Sequence, residues 1–271
     1  MDLQNIKICA LGALYKGDKV EYLEESLSSL ASQTITIPIF IVIDGPISKI
    51  LESKLSEFIA LDINYIRLDK NLGLAKALSH AVDCLCEKFD YIIRFDADDI
   101  NIPNRFEKLR TYICEHKPDL VSSHMYEINE KNEVFSERMI PIGHNKIAKK
   151  LPYRNPINHP ASAFKISSVL AVGGYQEMPF FEDWYLWIRM FHAGFKIENI
   201  DGFLVSFRAT DAMVARRYGL SYVKHELNFF HRRSKEKLIN PIENWLAFFA
   251  RLAVKAFGFK AYKQVFYWIR K

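Results

Sequence analysis

The sequence predicts an α/β fold built on a doubly wound, mainly parallel sheet with helices on both faces. Three observations support this prediction: β-rich runs alternate with helical runs, the β-rich runs are almost wholly apolar, and the helical runs repeat apolar residues on one face. Strands that are covered on both faces lack the polar alternation of a half-exposed sheet. With 271 residues, 49% of them hydrophobic, the chain can bury a large core.

The first half of the chain supplies four predicted strands and three predicted helices. Each predicted strand is a short run rich in Ile, Val, Phe or Tyr, whereas each predicted helix has apolar residues three or four positions apart. Strands are expected at 6–14, 37–45, 63–68 and 91–95, and helices at 20–33, 50–60 and 74–89. This strict alternation is typical of parallel strands joined by helices.

The second half is more mixed. Strands are expected at 119–128, 133–140 and 195–208, the last with a turn at Asp201 and Gly202, and a loop, strand and short helix at 154–175. A helix is expected at 182–194, because its first acidic residues suit the positive end of a helix dipole. From about residue 240 the spacing is helical and Trp, Phe and Tyr are frequent, which predicts an amphipathic helical tail.

Charge, cysteines and the amino terminus indicate the environment of the protein. The formal net charge of +5 is low for a dedicated nucleic-acid binder, so no nucleic-acid partner is expected. The four cysteines show neither a disulfide framework nor zinc-ligand spacing, which favours a reducing cytosol, and Cys84 and Cys86 are expected to face the core. The sequence shows no secretory signal and no run long enough to span a bilayer. A cytoplasmic location is therefore expected.

Three of the predicted strands end in residues that can bind ligands. In parallel α/β sheets, ligands bind outside the carboxyl ends of the strands. The marked ends are Asp44 and Gly45 after the second strand, Asn71 to Gly73 after the third, and Asp96, Asp98 and Asp99 after the fourth.

The acidic cluster after the fourth strand suggests a metal site. Side chains two positions apart on a strand point the same way, so Asp96 and Asp98 are expected to converge while Asp99 faces elsewhere. Two close carboxylates repel each other unless a cation lies between them or one takes up a proton. Their oxygens suit Mg²⁺ or Mn²⁺, which often completes its shell with waters and substrate phosphates. The alternative is an acidic turn that caps a helix starting near Asn101 and Pro103.

Several motifs occur together in a characteristic order. They are NLGLAKAL at 71–78, RFDADD at 94–99 and GGYQEMPFFEDWYLWIRM at 173–190. From about residue 6 to residue 208 the chain resembles the inverting family 2 glycosyltransferases of the GT-A fold, especially bacterial enzymes of capsule, O-antigen and exopolysaccharide assembly. The resemblance implies a GT-A domain over 1–239, with a nucleotide-binding half at 1–100 and an acceptor-binding half at 101–239, followed by the tail at 240–271.

The resemblance also implies how the donor is bound. Asp96 and Asp98 match the family's DxD motif, with Asp98 as the direct metal ligand and Asp96 nearer the ribose or the waters of the metal. Asp44 matches the carboxylate that recognises the nucleotide base, and a carboxylate that accepts an imide N–H suits uracil. The implied cofactor is Mn²⁺ or Mg²⁺, and the implied donor is a nucleotide-diphosphate sugar, with UDP-sugars favoured.

Asp183 matches the catalytic base of the family. A base must take the proton of the acceptor hydroxyl as it attacks the anomeric carbon from the side opposite the diphosphate, so the configuration of the sugar inverts. Glu182 is expected to orient the acceptor or to serve as a helix-start acid. The alternative for both acids is that they only stabilise a helix dipole.

Other residues are expected to contact the nucleotide or the acceptor. Many relatives carry an arginine where this chain has Leu78, so a contact with the nucleotide is expected instead from Lys76, beside Asn71 of the same turn. Asn158 and His159 match a segment that lines the acceptor side, although a histidine before a proline is as often structural.

Three arginines follow the last predicted strand. Arg208, Arg216 and Arg217 could close over the diphosphate as a flexible lid. A solvated basic face explains them equally well.

The tail combines an apolar stripe with many cations. The stripe is Trp245, Phe248, Phe249, Leu252, Ala256 and Phe259. The cations are Arg251 and Lys255 at its flank, followed by Lys260, Lys263, Arg270 and Lys271. This pattern is typical of an interfacial helix on an anionic membrane surface. The alternatives are a helix packed on the catalytic domain and a homodimer contact.

These expectations combine into one function and one alternative. The expected function is transfer of a sugar to a glycan acceptor, lipid-linked as for many related enzymes, by a peripheral enzyme at the inner face of the cytoplasmic membrane. The alternative is a nucleotide-sugar or polysaccharide binding protein that has the same fold but no turnover. A phosphatase or nucleotidyltransferase fits poorly, because Ile100 stands two positions after Asp98 where the phosphatase pattern needs Thr or Val.

Overall fold

The computed structural model describes residues 6–268. The strands are β1 (Ile8–Leu14), β2 (Ile39–Ile43), β3 (Ile63–Arg67), β4 (Tyr91–Arg94), β5 (Ile100–Asn101), β6 (Leu120–Ile128), β7 (Val134–Arg138), β8 (Ala163–Lys165) and β9 (Ile197–Arg208). The helices are α1 (Val20–Ala31), α2 (Lys49–Glu57), α3 (Leu74–Leu85), α4 (Arg105–His116), α5 (His144–Lys150), α6 (Ile166–Ala171), α7 (Glu182–His192), α8 (Asp211–Ala215), α9 (Leu220–Lys235), α10 (Pro241–Ala256) and α11 (Phe259–Trp268).

Within the described residues, the nine strands form one sheet in the order β3-β2-β1-β4-β8-β6-β9-β5, and β7 pairs with the second half of β6. The four strands of the first half are parallel to one another. The second half is mixed, because β8 and β7 run antiparallel to their neighbours while β6 and β9 are parallel. Parallel order places the carboxyl ends of β1, β2 and β4 at one edge.

Helices cover both faces of the sheet, as predicted. On one face, α1, α2 and α4 pack against Ile8, Ala10, Ile41 and Ile93. On the other face, α3, α6 and α7 pack against the alternate strand residues, including Cys9, Leu11, Val42 and Ile92. Successive residues of a strand point to opposite faces, so the apolar strands of this sequence fill two cores at once.

The carboxyl-terminal helices extend the second core. One face of α7 faces the sheet, while Trp184, Tyr185 and Ile188 on its other face join a cluster with α9 and α10. A separate cluster joins α8 to α11 through Met213, Val214 and Tyr262. The helical tail is therefore present, and its first helix shares a core with α7. Arg270 and Lys271 lie outside the described residues.

The structure differs from several local predictions. The turn expected at Asp201 and Gly202 is a bulge inside the continuous strand β9, where the register with β6 shifts. Cys84 and Cys86 were expected to face the core, but both are exposed, since the buried stripe of α3 runs through Leu78, Ala81, Val82 and Leu85. β5, α5, α8 and α9 were not predicted. No helix within residues 6–268 is both long enough and apolar enough to cross a membrane.

Candidate active site

The three acids after β4 form a turn at the carboxyl edge of the sheet. β4 ends at Arg94, and the amide of Asp99 donates to the carbonyl of Asp96 at 3.3 Å. One carboxylate oxygen from each of Asp96, Asp98 and Asp99 lies within 4.8 Å of the others. The expectation that Asp99 faces elsewhere was wrong, because strand alternation does not apply to a turn. The helix-cap alternative also fails, since β5 separates these acids from α4, which begins at Arg105.

Arg208, at the end of β9, forms hydrogen bonds with two residues of this turn. Its backbone amide donates to Asp99 Oδ1 at 2.9 Å, and its Nε donates to the carbonyl of Asp98 at 3.0 Å. The guanidinium also bonds Glu25 and Asn132 and lies 4.1 Å from the ring centroid of Tyr22. This buried, fully engaged side chain does not fit the predicted flexible lid.

The acids of the turn face each other, and the nearby Arg94 and Arg208 offset their repulsion only in part. Arg94 Nη2 donates to Asp96 Oδ1 at 2.5 Å, whereas Asp99 is buried and its second oxygen has no partner among the described residues. Protein surroundings and then the Asp96 carboxylate raise the pKa of Asp98 to about 6, although its side chain still reaches solvent. Burial and then Asp98 raise the pKa of Asp99 well above its ordinary value. The set fits a divalent cation, which would relieve this repulsion and use the free oxygen.

Asp18 is a fourth acid near the turn that the sequence reasoning missed. Its Oδ2 accepts the amide of Tyr15 at 2.9 Å in the loop between β1 and α1. Burial raises the pKa of Asp18 to about 7, with Asp98 and Asp96 adding to the rise. The same signal used for the other sites, an acid shortly after a strand end, would have found it.

Asp44 organises the neighbouring turn. Its two carboxylate oxygens accept the amides of Leu72 and Gly73 at 2.7 and 2.9 Å, and its carbonyl accepts Asn71 Nδ2 at 3.1 Å. Gly45 makes this approach possible, since a Cβ there would lie 2.4 Å from the amide nitrogen of Asn71. A carboxylate has about four acceptor positions, so two remain for a ligand. Recognition of a nucleotide base by Asp44 stays a prediction.

Glu182 and Asp183 open α7, as predicted. Asp183 is partly exposed, and its oxygens accept the amide of Trp184 and the Nδ2 of Asn155, both at 2.7 Å. Burial raises the pKa of Asp183, while the amide of Trp184, Arg138 and Arg217 oppose the rise. Burial and then Asp183 raise the pKa of Glu182 to about 7. Asn155 carried no sequence signal beyond its place in the acceptor-side segment.

A buried histidine and a buried tyrosine lie within electrostatic range of the acidic residues. His159 Nε2 and Tyr175 Oη form a hydrogen bond of 2.8 Å. Burial, and then Arg94, lower the pKa of His159 to about 3, so this imidazole is neutral. Burial raises the pKa of Tyr175, and its hydroxyl also feels Arg94, Asp183 and Asp96. The acidic turn and Asp183 therefore both lie within electrostatic range of Tyr175.

Several other residues that were predicted to contact substrate are bonded to protein groups or exposed in the structure. Asn158 is buried and donates to the carbonyl of Ser123 at 2.9 Å, and His159 is buried as well, which favours the structural alternative for His159. Lys76 forms an exposed ion pair of 2.9 Å with Glu177. Arg217 is the lid candidate that lies near Glu182 and Asp183, whereas Arg216 is exposed at the end of α8.

Two relatives match most of this chain. The chain is 34% identical to the amylovoran biosynthesis glycosyltransferase AmsE of Erwinia amylovora, over 88% of this chain and 90% of that protein. It is 32% identical to the UDP-Gal:alpha-D-GlcNAc-diphosphoundecaprenol beta-1,3-galactosyltransferase of Escherichia coli, over 96% of both chains.

Solved structures of low sequence identity share the fold. The mannosyltransferase PcManGT from Pyrobaculum calidifontis, in complex with GDP-Man and Mn²⁺, matches with a TM-score of 0.64 at 14% identity, over 95% of this chain and 77% of that one. S. aureus TarS 1–349 in complex with UDP-GlcNAc matches with a TM-score of 0.63 at 16% identity, over 83% and 66%. The fold is thus GT-A-like, as the resemblance implied.

The sequence model of one family covers more than half of the chain. It is described as Glycosyl transferase family 2 and matches residues 15–172. That stretch contains the Asp44 turn, the acidic turn and the His159 segment. Together with the two relatives above, this match shows that the chain belongs to glycosyl transferase family 2.

Proposed function

We propose that the protein is a metal-dependent, inverting glycosyltransferase that moves a sugar from a UDP-sugar to a lipid-linked glycan in bacterial surface polysaccharide synthesis. The observation that carries this proposal is the presence of two acidic groups, the turn of Asp96 to Asp99 and the start of α7 at Glu182 and Asp183, that both influence the pKa of the buried Tyr175. One group fits a cation and the other contains a carboxylate held in a fixed orientation.

The acidic turn is the proposed cation site. Asp96, Asp98 and Asp99 would hold Mn²⁺ or Mg²⁺, and Arg208 keeps the turn in shape. When bound, the cation supplies positive charge that stabilises the departing diphosphate. Arg94, bonded to Asp96 and to the carbonyl of Leu11, orients that carboxylate. Asp18 lies near the same turn and would face the donor.

Asp183 is the proposed base. Asn155 and the amide of Trp184 fix both of its oxygens, so the remaining acceptor positions point in a defined direction. Such a carboxylate can take the proton of the attacking hydroxyl, which favours attack opposite the leaving group and hence inversion. Arg138 and Arg217 favour its charged form. Glu182, with a pKa of about 7, would bond the acceptor in either protonation state.

The relatives guide the choice of donor and acceptor. The named substrate of the Escherichia coli relative is UDP-Gal, and its named acceptor is a GlcNAc linked to diphosphoundecaprenol. A UDP-sugar also agrees with a free acceptor position on Asp44 for a uracil N–H. A lipid-linked acceptor would place the enzyme at the cytoplasmic face of the membrane as a peripheral protein. A homodimer stays a prediction.

The experiment is a transfer assay that also measures the stereochemistry of the product. The full chain and Mn²⁺ are incubated with a panel of UDP-, GDP- and dTDP-sugars and a short-chain lipid-diphosphate GlcNAc, and the product is analysed by NMR. We expect an inverted product from one UDP-sugar. Asp183→Asn should bind the donor normally but lose about 10²- to 10⁴-fold in rate, whereas Asp83→Asn, an exposed acid on α3, should behave as wild type.

Two outcomes would reject parts of the proposal. If wild-type protein binds a UDP-sugar but transfers it to no acceptor, the alternative of a binding protein without turnover gains support. If Asp183→Asn retains full transfer, the base has been assigned wrongly.

A further inference from the structure

The helix α10 exposes an apolar face, although its inward face also buries the apolar Ala247 and Phe248. Its inward face carries Asn244, Arg251 and Lys255, and Glu226 of α9 receives both cations, with 2.5 Å to Arg251 Nε and 2.9 Å to Lys255 Nζ. Its exposed side chains between 242 and 257 are all apolar: Ile242, Leu246, Phe249, Ala250, Ala253, Ala256 and Phe257. A helix in contact with water normally presents polar residues on that face.

The exposed residues form one continuous stripe. At 100° per residue they fall within about 120° of the helix circumference, opposite the face that carries Asn244, Arg251 and Lys255. The four large side chains are well exposed, with 72% for Ile242, 61% for Leu246, 59% for Phe249 and 80% for Phe257. Scattered exposed apolar residues need no explanation, but a stripe of this length indicates a binding surface.

This stripe differs from the one predicted from the sequence. Of the six residues of the predicted stripe, Phe249, Ala256 and Phe259 are exposed, Phe248 is buried against α9, and Trp245 and Leu252 lie between the inward and outward faces. Arg251 and Lys255 were predicted to flank the stripe but point inward. The exposed stripe is therefore rotated by about a quarter turn from the predicted one.

The charge of the surrounding segment points to an anionic partner. Residues 220–271 contain eleven of the 37 Lys and Arg residues but only three of the 32 Asp and Glu residues, so the rest of the chain has a small net negative charge. Exposed Lys235 and Lys237 precede α10, and exposed Lys260 follows it. Cations at both ends of an apolar helix face are typical of helices that lie on anionic lipid. A second copy would bring the same positive charge and be repelled.

We propose that the outward face of α10, defined by Ile242, Leu246, Phe249 and Phe257, binds the surface of an anionic membrane. The helix would lie in the interface, with the four large side chains among the acyl chains and the flanking lysines at the phosphates. This proposal does not depend on the assigned chemistry, because it uses no residue of the candidate active site.

The test is co-sedimentation of the full chain with lipid vesicles. We expect binding to phosphatidylcholine vesicles that contain about 30% phosphatidylglycerol, weaker binding in high salt and little binding to pure phosphatidylcholine. The double variant Leu246→Ser/Phe249→Ser should lower the partition coefficient at least about tenfold. The matched control Ile50→Ser/Ile59→Ser, which removes two exposed apolar residues near α2, should bind as wild type.

Further measurements separate docking from folding, catalysis and self-association. Lys235→Glu/Lys237→Glu should weaken binding to the anionic vesicles. Release of nucleotide from the donor in vesicle-free solution, and the melting temperature, should be unchanged in all variants. Vesicle binding by Leu246→Ser/Phe249→Ser equal to that of wild type would overturn the proposal. So would a wild-type dimer, seen by light scattering, that fails to bind vesicles and that this variant converts to monomer.

Discussion

At the scale of single residues, Arg208 shows how a side chain outside the motif shapes the acidic turn. It is buried, its amide and Nε bond Asp99 and Asp98, and its guanidinium reaches Glu25 of α1. The sequence suggested a mobile cation over the diphosphate. In the structure this arginine is instead a buried support, because the end of β9 places it in contact with the turn.

Replacing Arg208 with lysine should therefore weaken the metal site without removing any ligand. Lysine keeps the charge but cannot bond several partners in different directions. By analogy with outer-shell partners of other metal sites, we expect Mn²⁺-dependent UDP binding to weaken by about 10- to 100-fold, measured by calorimetry. Arg216→Lys, at the exposed end of α8, is the control. Equal affinity in both variants would show that Arg208 does not support the turn.

The pH dependence of the reaction tests the environment of Asp183. Asp183 acts as a base only when it is deprotonated, and burial raises its pKa, so kcat/KM should fall on acidification with a midpoint above about 4, the ordinary value for Asp. Burial and then the Asp183 carboxylate raise the pKa of Glu182 to about 7, so Asp183 loses its proton first and titrates beside a neutral Glu182. Glu182→Gln should therefore leave the acidic limb where it is. A limb that moves to lower pH in this variant would mean that Glu182 is charged while Asp183 titrates.

At the scale of elements, the packing of α10 on α9 depends on a buried charged group. Glu226 is fully buried and receives Arg251 and Lys255. Removing one member of such a group leaves uncompensated charge, which typically costs about 3–5 kcal/mol.

Glu226→Gln should accordingly lower the free energy of unfolding by about 3 kcal/mol, measured by denaturant titration. Glu57→Gln breaks an exposed ion pair with Lys54 and should cost less than about 1 kcal/mol. If the two variants are equally stable, the buried group does not hold α10 in place.

Periodicity predicted those elements whose buried faces are mainly apolar, even where a few polar residues such as Ser26 and Ser29 of α1 are buried with them. The strands and helices of the first half were found for this reason. In contrast, the buried residues of α9 are Tyr222, Glu226, Phe229, Phe230 and Arg233. They have helical spacing, but two of them are charged, so a search for apolar residues at that spacing does not find this helix. The orientation of α10 was misjudged for the same reason, since its cations face inward.

Site residues could be predicted where a motif lies directly after a strand. The Asp44, Asp96 and Asp98 positions, and Glu182 with Asp183 at a helix start, all lie where the sequence reasoning expected them. Contacts made across the fold could not be predicted, because they join distant segments: Asn155 to Asp183, Arg208 to Asp99, and His159 to Tyr175. Asp99 was misplaced because the residues after β4 form a turn and not an extended strand.

At the scale of the whole molecule, the two acidic groups come from the two halves of the chain. The cation turn follows β4 of the first half, and Asp183 opens α7 of the second half. The strand β8 of the intervening segment pairs with β4 of the first half and with β6 of the second. The tail is part of the same body, since α10 shares a hydrophobic cluster with α7, so the predicted boundary at residue 240 cuts through a common core.

The most direct test of this account is a titration of Mn²⁺ into the full chain with UDP present, followed by electron paramagnetic resonance. We expect one tightly bound Mn²⁺ per chain in wild type and in Asp183→Asn, and loss of that site in Asp98→Ala. Tight Mn²⁺ binding that survives in Asp98→Ala would contradict the assignment of the acidic turn as the cation site.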